Sequence, residues 1–163
     1  MIRLLPSDAT RRELDEFLRE LEALGNPPDA AVQSVQTAVR AGFAAVFDSE
    51  GAAGGAPWAQ LAAATQRERQ RLGFPPAHPI LVRTGDYRAS FTNEGHADHI
   101  SEWSASGGVW RIAEGSRHEL AQYHELGTSR MPARKATTFD AALEDRIRAA
   151  LDSMFREWFG WNG

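Results

Sequence analysis

The chain has 163 residues, of which 42% are hydrophobic and 25% charged, with a net charge of −4 and no cysteine. Its mean hydropathy of −0.43, and the lack of any run near the ~18 apolar residues that span a bilayer, point to one water-facing globular domain and exclude disulfide, thiol and cysteine-zinc chemistry. The acidic balance argues against a dedicated non-specific nucleic-acid binder, and the opening MIRLLPSDATRRELDEF carries no pattern expected of a secretion signal.

The first predicted element is a helix over Ser7 to Leu24. Leu14, Phe17, Leu18, Leu21 and Leu24 recur at three- and four-residue steps on one face, with charged residues around the rest. Gly25-Asn26-Pro27-Pro28 ends it. A second helix is expected from Asp29 to Phe47, with Val32, Val35, Val39, Phe43 and Val46 as its apolar stripe, so that residues 1–50 read as a helical hairpin extension.

Residues 51–57, GAAGGAP, read as a flexible connector within a single domain. Trp58 opens a third helical stretch, WAQLAAATQRERQRLG, and GFPPAHP breaks the chain after it. Ile80-Leu81-Val82 predicts a short strand, and Thr84-Gly85 marks a turn. The residues from Asp86 to Phe91 fit either an alternating strand or a helical turn. His99–Trp103 and Gly108–Ala113 predict a β-hairpin around Ser104-Ala105-Ser106-Gly107-Gly108.

A short helix over Arg117–Leu126 is then capped by Gly127, and a loop over Thr128–Lys135 follows. The last helix has the clearest period: Phe139, Leu143, Ile147, Ala150, Met154 and Trp158 form one stripe, and Thr137 with Asp140 suits a capping box at its start. These elements predict an α+β fold: an N-terminal helix pair, a small antiparallel β-sheet and a long C-terminal helix packed on it.

The chemical candidates are weak. His118-Glu119 and His124-Glu125 stand six residues apart, which turns the second imidazole roughly 120° from the first, whereas a helical zinc site needs a spacing of four. Glu94, His96, Asp98, His99 and Glu102 contain enough ligand types for a metal, but a polar loop and strand edge is the preferred reading. There is no Gly-x-Ser-x-Gly elbow and no Gly-x-x-x-x-Gly-Lys phosphate loop. The reading is that of a non-enzyme with no cofactor. Binding has better candidates. Arg130, Arg134 and Lys135, with Arg83 and Arg88, can meet phosphate or an acidic protein surface. The aromatic run Trp158-Phe159-Gly160-Trp161 either folds back on the core or makes an interface.

Three segments in order carry a family likeness: Trp58-x-x-Leu61-x-x-x-Thr65; Ile80-Leu81-x-x-Thr84-Gly85-x-x-x-x-Ser90; and Ala121-x-x-His124-Glu125-Leu126-Gly127 followed by Met131-Pro132-Ala133-Arg134. Together they resemble the virion morphogenesis, or tail-completion, proteins of tailed bacteriophages, over residues 58 to the C-terminal helix as the family-like core. Leu120 stands where the family often has tyrosine, and the helix pair and residues 93–108 have no counterpart in the pattern.

The resemblance implies a structural protein that completes or terminates the tail and supports head–tail joining, in the virion tail or neck after assembly in the host cytoplasm. It implies a ring, with six copies to match a six-fold tube. Its partners would be copies of itself, the tail tube protein and neck or connector proteins, with DNA passing through the lumen and no membrane contact. His124, Glu125, Gly127, Arg130, Pro132, Arg134 and Lys135 become interface residues under this reading, with Trp158, Phe159 and Trp161 as aromatic partners. Arg134 is expected to be fixed by a carboxylate or carbonyl of this or a neighbouring subunit. Trp58, Thr65, Thr84, Gly85 and Ser90 become structural motif positions. The alternative from another class is a non-enzymatic, prophage-encoded binding module or adaptor.

Overall fold

The computed structural model describes residues 16, 19, 25–104, 107–112 and 118–160. The expected first helix falls largely outside these residues, as do Trp161 and parts of the segments flanking the hairpin. Glu16 and Arg19 are helical.

Helix α1 spans Asp29–Asp48 and α2 Ala63–Arg71; α3 spans Asp86–Thr92, strands β1 and β2 His99–Ser104 and Gly107–Ile112, α4 His118–Leu126 and α5 Ala141–Phe159. The protein is mostly helical, which corrects the predicted α+β class. Strand pairing among the described residues is confined to one antiparallel hairpin, in register from His99 opposite Ile112 to Ser104 opposite Gly107, apart from a bridge between Thr128 and Met131. The long C-terminal helix does not pack on a sheet. It lies along α1, where Ala31, Val32 and Val35 meet Met154, with Ala150 and Leu151 at the margin.

A larger core fills the other end of α1. Phe43, Val46 and Phe47 pack there with Trp58, Ile80, Leu81, Tyr87, Phe91, Ala136 and Leu143. Phe47 sits at its centre, with the rings of Trp58, Tyr87 and Phe91 edge-on to it at 5.6, 5.9 and 5.4 Å. Edge-to-face contacts of this kind add about 0.5–1.5 kcal/mol each beyond area burial. The hairpin is tied to α1 by Gln36, whose Nε2 donates to Ser101 Oγ at 2.9 Å.

Three local expectations change, each for a tertiary reason. Trp58–Ala62 is not helical, and α2 begins only at Ala63, because the carbonyls of Ala59 and Gln60 accept from Arg134 instead of from a following helical turn. Ile80-Leu81-Val82 is a turn, not a strand: Leu81 sits at φ +61°, and the Ile80 N–H donates to Glu50 Oε1 at 2.9 Å. The α5 cap is Asp140 alone, accepting from Leu143 N at 2.8 Å, while the Thr137 hydroxyl donates elsewhere, to Glu125 Oε2 at 2.7 Å.

Residues 51–57 form a hydrogen-bonded turn, including a 3-10 segment over Ala52–Gly54. Gly51 is required there: its φ is +93°, and a Cβ would run into the Trp58 indole. The Ala53 carbonyl then accepts from Asp140 N at 2.9 Å, which joins this turn to the start of α5.

Candidate functional site

The three segments that carry the family likeness meet in space. Trp58 is buried, and its Nε1 donates to the Lys135 carbonyl at 2.8 Å. Arg134 returns the connection: it is only 4% exposed, with Nε donating to Ala59 O at 2.8 Å and Nη2 to Gln60 O at 3.1 Å. The expected fixing of Arg134 is thus made by carbonyls of its own chain. Its backbone N–H donates to His124 O at 2.6 Å, so the loop after Gly127 folds back along α4. Gly127 permits that reversal at φ +72°, where a Cβ would stand 2.8 Å from the Ala133 nitrogen.

Glu125 closes the loop from the other side. Its Oε1 accepts from the N–H groups of Ala136 and Thr137, and its Oε2 from the Thr137 hydroxyl. The carboxylate therefore satisfies backbone donors that would otherwise be stranded beside buried Ala136. Ser90 is fully buried, donating to Tyr87 O at 2.7 Å.

A recess of about 430 Å³ opens beside this clamp. Leu61, Leu81, Leu120 and Met131 line it, with Thr65, Thr84, Gly85, Tyr87, His124, Arg69, Arg83 and Arg134. Each of the three likeness segments contributes to its wall. Burial, with Arg134 nearby, pushes His124 down to about 4, so its imidazole is neutral at pH 7. Burial, with the Glu125 charge nearby, raises the Tyr87 phenol well above its ordinary value. The guanidiniums of Arg69 and Arg134 are both lowered, by burial first and then by a neighbouring guanidinium.

The other residues singled out in the sequence lie apart from the recess or at its rim. Arg130, Pro132 and the Lys135 side chain are exposed. Arg88 pairs with Asp48 at 2.8 Å. His96 Nε2 meets Asp86 Oδ1 at 3.0 Å, and its Nδ1 accepts from Asp98 N at 3.1 Å. His99 Nδ1 lies 3.0 Å from Ser90 O. Among the described residues no group of three histidine, aspartate or glutamate side chains is placed to hold a metal. At the far end of α5, Phe155, Trp158 and Phe159 stack at 5.2–6.3 Å.

Sequence reasoning misses Glu50, Arg69 and Leu126. Glu50 holds the Ile80 N–H through its side chain and the Trp58 N–H through its carbonyl. Arg69 reads as one more charge on a polar helix back, yet it donates to His78 O and Pro79 O. Leu126 is read as the end of the short helix and a position of the third likeness segment, yet it is 80% exposed. With Tyr123 it leaves an apolar pair on the open side of α4 next to the clamp. Among the described residues no helix is long and apolar enough to cross a membrane. No protein-family model, curated protein or solved structure matches the chain.

Proposed function

We propose that this chain is a structural protein of the tail or neck of a tailed bacteriophage, completing or terminating the tail and supporting its union with the head as a ring, six copies being the working number. One observation carries the reading. The segments Trp58–Thr65, Ile80–Ser90 and Ala121–Arg134, far apart in the chain, line one recess; hydrogen bonds join the first to Arg134 and Lys135, and the Tyr87 ring packs on His124. Their contact in the fold supports reading them as one constellation. Arg134 holds the segment that Trp58 opens, and Trp58 holds the residue that follows Arg134.

In this reading the motif residues are architecture, and assembly uses what the architecture presents. Glu125 accepts from two backbone N–H groups and a hydroxyl, and Arg134 donates to two carbonyls, so both are committed to holding the fold. The clamp stiffens the Gly127–Lys135 loop and holds Tyr123 and Leu126 outward. Exposed apolar residues beside a polar rim are the usual make-up of a subunit contact. Lys135 and Arg130 supply such a rim, and Pro132 stiffens the loop between them.

Electron microscopy of lysates from a phage or prophage carrying a stop codon in this gene tests the proposal. Filled heads lying apart from tails are expected, with overlong tails favouring a terminator. Intact, infectious particles would overturn it.

A further inference from the structure

The recess beside the clamp has a chemistry that the assembly reading does not use. Arg69, Arg83 and Arg134 converge on it, and among the described residues none of the three forms an ion pair. Arg134 is buried and held only by carbonyls, and Arg69 likewise donates to carbonyls. Arg83 is exposed and has no hydrogen-bond partner among the described residues. Among the described residues Glu50 is the one carboxylate whose charge reaches Arg69, and three guanidiniums outnumber it, so part of their shared charge is uncompensated, which is costly unless a further anion completes the group.

A second observation points the same way. Tyr87 is 5% exposed, lines the recess, and its hydroxyl has no hydrogen-bond partner among the described residues; His124 Nδ1, also in the wall, has none either. A buried phenol donor without an acceptor forfeits the hydration it had in water and gains nothing in return. An oxyanion entering beside Arg83 pairs with that guanidinium, and a shift of the Tyr87 ring that uncovers its hydroxyl lets the phenol donate to the same group.

We propose that this recess binds an acidic side chain, flanked by an apolar residue, on an extended segment of a partner protein. The lining selects that occupant over others. Leu61, Leu81, Leu120 and Met131 offer aliphatic surface that a free phosphate cannot use. A DNA backbone needs cations in a row along an open groove, whereas here three arginines line one recess on a chain of net charge −4. A glutamate with a neighbouring leucine uses both the cations and the aliphatic wall. The site belongs to the isolated chain, so it holds or fails whatever the fate of the assembly proposal.

The test is a backbone and arginine side-chain NMR titration of the full-length protein with acetyl-Leu-Glu-Leu-amide, its Glu→Gln counterpart, inorganic phosphate and a short DNA duplex. Saturable shifts at Thr84–Tyr87 and at the Arg134 Nε–H are expected with the glutamate peptide. Binding should be about tenfold weaker with the glutamine peptide, and equally weakened by Arg83→Gln, a change at an exposed residue that leaves the fold intact. Equal binding of the two peptides, absence of saturation with the glutamate peptide, or saturation of the same signals by phosphate or DNA in preference to that peptide would each overturn the assignment.

Discussion

Trp58 and Lys135 stand 77 positions apart, and the indole Nε1 of the first donates to the carbonyl of the second at 2.8 Å. The neighbouring Arg134 sends two bonds back to Ala59 and Gln60. Two non-helical segments are thereby stitched in both directions, so each holds the other in an extended form that neither would keep alone.

Arg134 is the stronger half of the stitch. Arg134→Ala removes two charge-assisted bonds at a buried position and should destabilise the protein by about 2–4 kcal/mol. Arg134→Lys should recover little of this, because an ammonium cannot span two carbonyls as a planar fork does. Urea denaturation midpoints measure both. Equal stability of the lysine variant and the parent would remove the fork from the account.

Trp58→Phe keeps an aromatic ring against Phe47 but leaves the Lys135 carbonyl without its donor. A loss of about 1–2 kcal/mol is expected. Gly51→Ala, at φ +93° and pressed against the same indole, should cost more than Trp58→Phe. Combining the two should cost less than the sum, since the smaller ring gives the new methyl room. Thermal melts of the two single variants and the double variant decide it.

Glu125→Gln retains size but weakens a carboxylate that serves Ala136, Thr137 and the Thr137 hydroxyl together. A loss of about 1–3 kcal/mol is expected. Faster amide hydrogen exchange should appear at Ala136 and Thr137 while α1 stays protected. Unchanged exchange at those two amides would show that the carboxylate does not hold the loop.

His124 makes stability depend on pH in a definite direction. Its folded value of about 4 lies below the ordinary 6.5, so the unfolded chain binds the extra proton first. The contribution is complete above about pH 6.5 and is lost as pH falls toward 4. Between about pH 7 and 5, where most carboxylates stay ionised, the parent should lose more melting temperature than His124→Gln does. Parallel pH profiles for the two would contradict this.

What can be read from the sequence follows from which forces are local. The stripes Val32-Val35-Val39-Phe43-Val46 and Leu143-Ile147-Ala150-Met154 are legible because a 3.6-residue period is written along the helix itself, and the hairpin His99–Ile112 because its strands and turn are adjacent in the chain. Periodicity shows that a helix has an apolar face without showing what the face meets. That is why α5 reads as the cover of a sheet when its partner is α1. Trp58–Ala62 looks helical because the arginine that takes its carbonyls arrives 75 and 74 residues after them. Ile80-Leu81-Val82 looks like a strand because nothing nearby announces that Glu50 will hold Ile80 and that Leu81 will adopt a left-handed backbone. At the candidate site the residue types of the clamp are legible and its partners are not; the recess arginines scatter over three segments that only the fold brings together.

In the proposed role the clamp presents its assembly surface through Leu126. Leu126→Asp, at an 80% exposed position, should leave the melting temperature nearly unchanged, because surface substitutions away from packing contacts usually change stability by less than about 0.5 kcal/mol. Supplied in trans to a phage whose own copy carries a stop codon, this folded variant should fail to restore virions, with heads and tails lying apart in the micrographs. Normal yields of joined, infectious particles from the folded variant would contradict the account.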